Sequence, residues 1–318
     1  MHLLLVKTSS LGDVIHNLPV VSDLRRAFPD ATIDWCVEES FAEIPRLHPD
    51  VSEVIPVAIR RWRKSLGNAQ TWKQIAAFRR RIGTTRYDAI LDTQGLLKSG
   101  LISRLANGPR YGYAAEVARE RLAARFYDKT FVIPPNAHAV LRNRWLGAAA
   151  FDYPVDFPLD YGITAPEIEL PWLTAERHAV LLTATSRDDK LWPEENWIAL
   201  GQDLVNRGLT PVLPSGNATE RARAERIAAP IPGAVVAPRL TLRELAARLG
   251  RSTLAIGVDT GLAHLATALR VPTIALYVTT DPALTGVLGS GYYRNLGGIG
   301  QTPSVAEVLN AAEPIIRQ

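Results

Sequence analysis

A single cysteine, Cys36, in 318 residues excludes an internal disulfide framework and any metal centre built from several thiolates. No apolar run reaches the roughly 18 residues of a membrane span, so any bilayer contact is expected at its surface. The amino end reads as a strand where a secretory leader would stand, which points to the cytoplasm. Nucleotide-binding signatures are missing as well. The absence of G-x-x-x-x-G-K-[ST] and of G-x-G-x-x-G argues against a P-loop kinase or a standard dinucleotide dehydrogenase. There is no Asp-x-Asp pair, and the six histidines at 2, 16, 48, 138, 178 and 264 show no metal-ligand spacing. Group transfer without a metal or other cofactor fits these absences.

Acidic residues are missing from one long stretch. Between Arg60 and Tyr87 stand nine Lys or Arg (60, 61, 63, 64, 73, 79, 80, 81 and 86) and no Asp or Glu. The whole chain carries +4, so the remainder is at −5. A basic face of this kind suits an anionic partner, whether a phosphorylated glycolipid, an acidic bilayer surface or nucleic acid, with a solvated helix face as the alternative. Trp62 and Trp72 favour the membrane interface, where indole rings settle beside basic side chains. No nucleic-acid module is recognisable, and nucleic acid is not expected as a partner.

The chain is 47% hydrophobic, enough at this length for two cores. Short Val/Ile/Leu-rich runs recur with helical stretches between them: HLLLV, ATIDWCV, VSEVIPV and YDAILD, then HAVLLTA, TPVLP, GAVVA, STLAIGV and VPTIALYV. This alternation predicts the α/β class, with parallel sheets covered on both faces and two doubly wound domains. The first domain is expected over residues 1–152 and the second over 173–303. Residues 153–172, with Pro154, Pro158, Pro166 and Pro171, predict an extended linker. Residues 304–318 predict a closing helix that packs back on the first domain, bent or ended by Pro314.

Five places carry candidate chemistry. In KTSSLGDVIHNLP, Lys7 to Pro19, a buried strand ends and a helix begins, so Asp13 sits at a strand's carboxyl end, where α/β proteins keep their sites. A helix cap is the simple alternative. In STLAIGVDTGLAHLATAL, residues 252 to 269, the helix start at Asp259, Thr260 and Gly261 offers backbone N–H groups to a phosphate. His264, one turn on, can reach the same anion, and capping by Asp259 is equally open. In TATSRDDKLWPEENW, residues 183 to 197, Thr185 and Ser186 occupy a strand-end loop, and Lys190 can neutralise a leaving phosphate or simply be solvated. Glu220 can accept from ribose hydroxyls or serve only as a helix-dipole partner. Gln94 and Lys98 follow the strand YDAILD.

Taken in order, KTSSLGDVIHNLP, WCVEESFAEIP, VIPVAIRRWRK, DTQGLLKS, TSRDDKLWPEENW and VDTGLAHLATAL resemble the lipopolysaccharide heptosyltransferases, most closely the branch that attaches the first heptose. The resemblance runs from Leu3 to about Leu284. It implies an inverting glycosyltransferase of the GT-B type, two Rossmann-like domains facing across a cleft. It further implies ADP-L-glycero-β-D-manno-heptose as donor, the Kdo of Kdo2-lipid A as acceptor, and work at the cytoplasmic face of the inner membrane. The family's base falls on Asp13. Donor positions fall on Thr185, Ser186, Lys190, Glu220, Asp259, Thr260, Gly261 and His264, with Lys190 also catalytic. Acceptor positions fall on Ser10, Gly12, Arg60, Arg61, Arg63, Lys64, Gln94 and Lys98. Ser186 stands where the family commonly has threonine, and Val278-Thr279-Thr280-Asp281-Pro282 departs from the family's Gly-Pro-Thr-Asp-Pro. The second heptosyltransferase, or a non-catalytic nucleotide-sugar or acidic-lipid binder, is the alternative.

Overall fold

The computed structural model describes residues 1–317 and divides into two compact units, Met1–Gly162 and the chain from Ile163 onward. The first unit holds strands β1 (His2–Val6), β2 (Thr32–Glu38), β3 (Glu53–Val57), β4 (Ala89–Asp92), β5 (Arg110–Tyr113) and β6 (Lys129–Phe131). They form one sheet in the order β3-β2-β1-β4-β5-β6, every pair parallel. The second unit holds β7 (His178–Leu182), β8 (Thr210–Leu213), β9 (Val235–Val236), β10 (Leu254–Val258), β11 (Thr273–Tyr277) and β12 (Tyr293–Gly297). Their order, β12-β11-β10-β7-β8-β9, is again all parallel.

Counted from its own first strand, each unit has the order 3-2-1-4-5-6. Strand order therefore reverses between β1 and β4 in one sheet and between β7 and β10 in the other. The loops leaving these strands splay apart at that point and open a crevice at the carboxyl edge, which is where doubly wound folds bind ligands. The central strands are apolar throughout, without alternation, because helices cover both faces: Leu3 to Val6, Ala179 to Leu182 and Leu254 to Val258 are all buried. Cys36 lies inside the first core beside Leu4, Val6 and Ile55, and burial together with nearby Glu38 and Asp92 pushes its thiol well above the usual range.

Nine runs predicted strands, and among the described residues twelve strands form. The additional ones, β5, β6 and β12, read RYGY, KTF and YRNLG, too short and too polar to stand out as buried strands. The expected linker, residues 153–172, carries no helix or strand, and the two units divide within it. Tyr153 and Tyr161 are buried in the first unit, where Arg144 donates to Phe157 O (2.7 Å) and Arg26 to Asp160 (2.9 Å). From Ile163 the chain belongs to the second unit, and Arg248 donates to Leu170 O (3.1 Å). The closing helix, Val305–Ile316, also departs from expectation: it packs on the second sheet, with Val308, Ala312 and Ile316 in that core. It runs through Pro314 because Ile315 and Ile316 beyond it still have apolar surface to cover. Among the described residues no helix is long and apolar enough to cross a membrane.

Candidate active site

At the carboxyl edge of the first sheet, the loops after β1 and β4 are tied to each other. Asp92, fully buried at the end of β4, accepts from the N–H groups of Gln94 (2.8 Å) and Gly95 (3.2 Å) and from the Tyr127 hydroxyl (2.7 Å). That turn presents the Gln94 amide, 2% exposed, to the neighbouring loop: Oε1 accepts from Thr8 N and Thr8 Oγ1 (both 2.7 Å), and Nε2 donates to Ser9 O (3.0 Å). Gln94, expected at the acceptor, thus makes three bonds to Thr8 and Ser9 that fix this loop, and it also lines the cavity described below. Lys98 sits over the same loop and donates to Ser9 Oγ (2.6 Å).

Asp13 is the third residue of a short helix, Leu11–Ile15, and not part of the turn before it. Its carboxylate does cap: Oδ2 accepts from Ser10 N (2.8 Å) and Ser10 Oγ (3.1 Å). Capping leaves Oδ1 for another partner, and Arg119 takes it at 2.6 Å. The two roles weighed as alternatives thus share one side chain, which remains 17% exposed. Burial alone would raise its proton affinity. The charges of Lys7 and Arg119, with the hydrogen bonds from Arg119 and Ser10, outweigh that and hold the carboxyl well below the usual range. Asp13 is accordingly an anion near neutral pH.

Arg119 and Lys7 were not among the expected site residues. Arg119 lies in the loop after β5, 106 residues from Asp13, and no local pattern marks it. Gly95 lets that loop approach: its φ of +67° suits glycine, and a Cβ there would stand 3.2 Å from the Tyr113 ring and 3.5 Å from Arg119 N. Lys7, 3% exposed, is the first polar residue after β1. Its ammonium donates to Thr93 O (2.7 Å) and Asn143 Oδ1 (3.3 Å) and has no carboxylate in contact. With Thr93, Gln94, Tyr113, Arg119, Arg142 and Asn143 it lines a cavity of about 20 Å³. Burial lowers its pKa to about 8, with Asp13 and Asp92 opposing the shift.

The sign of that shift gives a stability prediction. Below pH 8 both folded and unfolded chains hold the Lys7 proton and its burial penalty is fully present. Between pH 8 and 10.5 only the unfolded chain still holds it, so the folded state gains. Over that interval the wild type is expected to gain roughly 2 kcal/mol relative to Lys7→Met, measured by urea unfolding at each pH. An unchanged gap between the two proteins would contradict it.

The expected acceptor cations divide into two kinds. Arg61 is held by Glu39 through two bonds of 2.9 Å and donates to Gln74 (2.6 Å). Arg60 lies over the Phe41 ring at 5.0 Å, its backbone N–H on Glu38 (3.2 Å), while Arg63 and Lys64 are exposed and form no ion pair among the described residues. Burial depresses the Lys98 pKa, and Arg60 adds to that effect against Glu38 and Asp13, so these charges share one electrostatic neighbourhood. Ser10 is the N-cap of the helix that carries Asp13, and Gly12 is the helix residue directly before it.

In the second unit the switch point gathers the loops after β7 and β10. Lys190 Nζ donates to Asp259 Oδ2 (2.7 Å), Thr280 Oγ1 donates to the same oxygen (2.8 Å), and Thr185 Oγ1 donates to Asp259 O (2.8 Å). Thr280 is a further residue that sequence reasoning passed over; it lies in the loop where the family pattern is broken. Two residues after Lys190, Trp192 anchors the segment: it is fully buried against Trp197 at 5.0 Å, and the Trp192 indole donates to Pro303 O (2.8 Å). Thr260 is extended at the start of the helix Gly261–Ala268, its side chain making no capping bond, so the hydroxyl and first N–H groups are available to an anion. His264 is buried at 6% exposure on that helix, and Ser186 is exposed. Glu220 sits after β8, beside β7. Its carboxylate accepts from Gly216 N (2.7 Å) and Asn217 Nδ2 (2.8 Å), and no bond links it to Lys190.

Comparison with known proteins agrees with this geometry. The profile of glycosyltransferase family 9 (heptosyltransferase) matches residues 75–311. Lipopolysaccharide heptosyltransferase 1 of Salmonella typhimurium (strain LT2) is 45% identical over 299 residues, 93% of this chain and 92% of the relative. The protein of that name from Escherichia coli (strain K12) is 43% identical over 297 residues, 93% of this chain and 92% of the relative. Of solved structures, E. coli heptosyltransferase WaaC with ADP aligns at a TM-score of 0.90 with 39% identity, covering 99% of this chain and all of that one. E. coli ADP-heptose lps heptosyltransferase II, at 22% identity and a TM-score of 0.77, covers 100% of this chain and 99% of its own and shares the fold, which is the GT-B type. With the family profile spanning most of its length and relatives of this identity covering nearly all of it, the chain belongs to glycosyltransferase family 9, the heptosyltransferases.

Proposed function

We propose that the chain acts as heptosyltransferase I, moving L-glycero-D-manno-heptose from ADP-heptose to a Kdo sugar of Kdo2-lipid A in lipopolysaccharide inner-core synthesis. The second unit takes the donor. A WaaC structure with ADP-2-deoxy-2-fluoro heptose, 38% identical to this chain, supports that choice of ligand. The ADP pyrophosphate lies against the helix start at Thr260 and Gly261 and near Lys190, where the helix dipole and the ammonium favour negative charge. Thr185 and Ser186 add hydroxyl donors, and Glu220 is available to ribose hydroxyls. The first unit takes the acceptor: Arg60, Arg63, Lys64 and Lys98 meet its carboxylates and phosphates.

The reaction is one displacement. The acceptor oxygen attacks the anomeric carbon, the bond from that carbon to the phosphate oxygen breaks, and the acceptor's proton passes to Asp13. One displacement inverts the anomeric centre. A carboxylate held strongly acidic is a weak base towards a neutral alcohol. As the new bond forms, however, the attacking oxygen becomes positive and its proton acidic, so the transfer is late and an anionic acceptor of modest basicity suffices. Arg119 must release Oδ1 for this, and the acceptor's own anionic groups compete for its guanidinium.

The observation that carries the proposal is the part-exposed Asp13 carboxylate, kept ionised by Lys7 and Arg119 at the first sheet's switch point. The test is ADP release from ADP-heptose, measured with and without Kdo2-lipid A. Release that requires the acceptor, with a heptosylated product in the mass spectrum, is the expected result. ADP binding without turnover on this acceptor would overturn it, and turnover on an already heptosylated acceptor would assign the second transferase instead.

A further inference from the structure

The basic stretch ends in a feature that sugar transfer does not use. Residues 65 to 68 form a tight turn between the short helix Ile59–Trp62 and the helix Ala69–Thr84. Ser65 Oγ donates to Arg61 O (3.1 Å) and lies 2.9 Å from Thr71 Oγ1, and Asn68 Oδ1 accepts from Gln70 N (2.8 Å). Trp62 is the inner anchor, its indole donating to Gln74 (3.0 Å) and its ring packed on Phe78 at 5.8 Å. Trp72 is the outer one. It is 57% exposed, as is half of Leu66, and its indole N–H donates to Leu66 O (2.8 Å). The ring's only polar atom is therefore satisfied by the turn itself, so the ring can enter an apolar medium without losing a hydrogen bond.

The surroundings specify the medium. Of the nine cations between Arg60 and Tyr87, Arg61 pairs with Glu39 and Arg81 with Glu53; the other seven form no ion pair among the described residues. Lys64 and Lys73 flank the exposed pair in sequence, and Arg79 and Arg80 continue the exposed face of the same helix past Ala76. A second copy of this chain would bring like charges together at such a face. An anionic bilayer is complementary to it: each Lys or Arg near the surface is attracted, and indole and leucine partition into the interface.

We infer that Leu66 and Trp72 form a preformed wedge that inserts into the interface of an anionic bilayer, with Lys73, Arg79, Arg80 and Arg86 against its headgroups. This rests on the proposed acceptor, a membrane glycolipid, and gives the membrane contact specific residues. The wedge presents the enzyme to the plane in which the acceptor lies, and it is separate from the cations that meet the acceptor's own anions.

The test is co-sedimentation of the intact protein with vesicles of phosphatidylcholine alone or mixed equally with phosphatidylglycerol, for the wild type and for Leu66→Ser/Trp72→Ser. The wild type is expected to bind the anionic vesicles, with fluorescence quenched by brominated acyl chains. The double variant should bind at least tenfold more weakly and lose the quenching, while turning over acyl-free Kdo2-lipid A in solution at the wild-type rate. Equal vesicle binding by both proteins, or equal binding to neutral and anionic vesicles, would overturn the wedge. So would concentration-dependent dimerisation or duplex DNA binding abolished by the same substitutions. Failure of the proposed reaction is distinct, because it appears as no turnover of the acyl-free acceptor by either protein.

Discussion

Asp13→Asn is expected to lower kcat by roughly 10²- to 10⁴-fold, the usual contribution of a general base, with ADP affinity unchanged. Asparagine keeps the size of the side chain and one carbonyl oxygen for Ser10 N or Arg119, so the loop should hold its shape. It cannot take a proton. It also leaves Lys7 buried without the nearest opposing charge, so the Lys7 proton affinity should fall further below its present value near 8. Steady-state ADP release, calorimetric ADP binding and the melting temperature together separate lost chemistry from lost structure. A variant that keeps a tenth of the wild-type kcat would remove Asp13 from the base role. The pH profile gives a second check. The carboxyl is held below the ordinary carboxylate range, so kcat/KM should show no acidic limb near pH 4 to 6 from this group. Arg119→Met removes one of the two opposing charges and should bring such a limb up towards that range.

The second large effect is expected at Lys190. Lys190→Met should lower kcat by roughly 10²- to 10³-fold, the loss seen when one preorganised donor to developing charge is removed. The ammonium is held by Asp259 Oδ2 at 2.7 Å, and Trp192 fixes the loop two residues on, so the charge is in place before the pyrophosphate leaves. Because negative charge on ADP grows as the sugar departs, kcat should fall more than ADP affinity does. Lys190→Arg should recover only part of the rate, since a planar guanidinium cannot reproduce a compact ammonium between Asp259 and a phosphate. Initial rates over a range of ADP-heptose, with ADP affinity by calorimetry, test this. A kcat within threefold of wild type would show that the helix start at Gly261 handles the leaving group alone.

Much of this arrangement was legible because central strands must be apolar on both faces. HLLLV, AILD, HAVLL and LAIGV stand out for that reason, and the loops after them carry the candidate residues. Asp13, Lys190 and Asp259 could be found by asking which charged residues follow such runs. Two of the edge strands, β6 and β12, could not, because they are half-exposed and carry polar side chains. Arg119 was invisible for a different reason: its role is a contact across 106 residues, set by sheet order and by the backbone of Gly95. Lys7 was in plain view, directly after the strand, and was given no role. Its significance comes from burial, which the sequence does not display at a strand terminus. The closing helix was placed on the wrong unit because its apolar face says that it packs without saying on what.

Cys36 has a practical consequence. Its thiol is buried in β2 and raised in pKa, so thiol reagents should not reach it in the folded chain, and no other cysteine competes. The rate at which it is modified is therefore a clock for transient opening of the first sheet alone, blind to the second unit. Timed with and without each substrate, the unaltered chain reports which reactant steadies the half that carries Asp13.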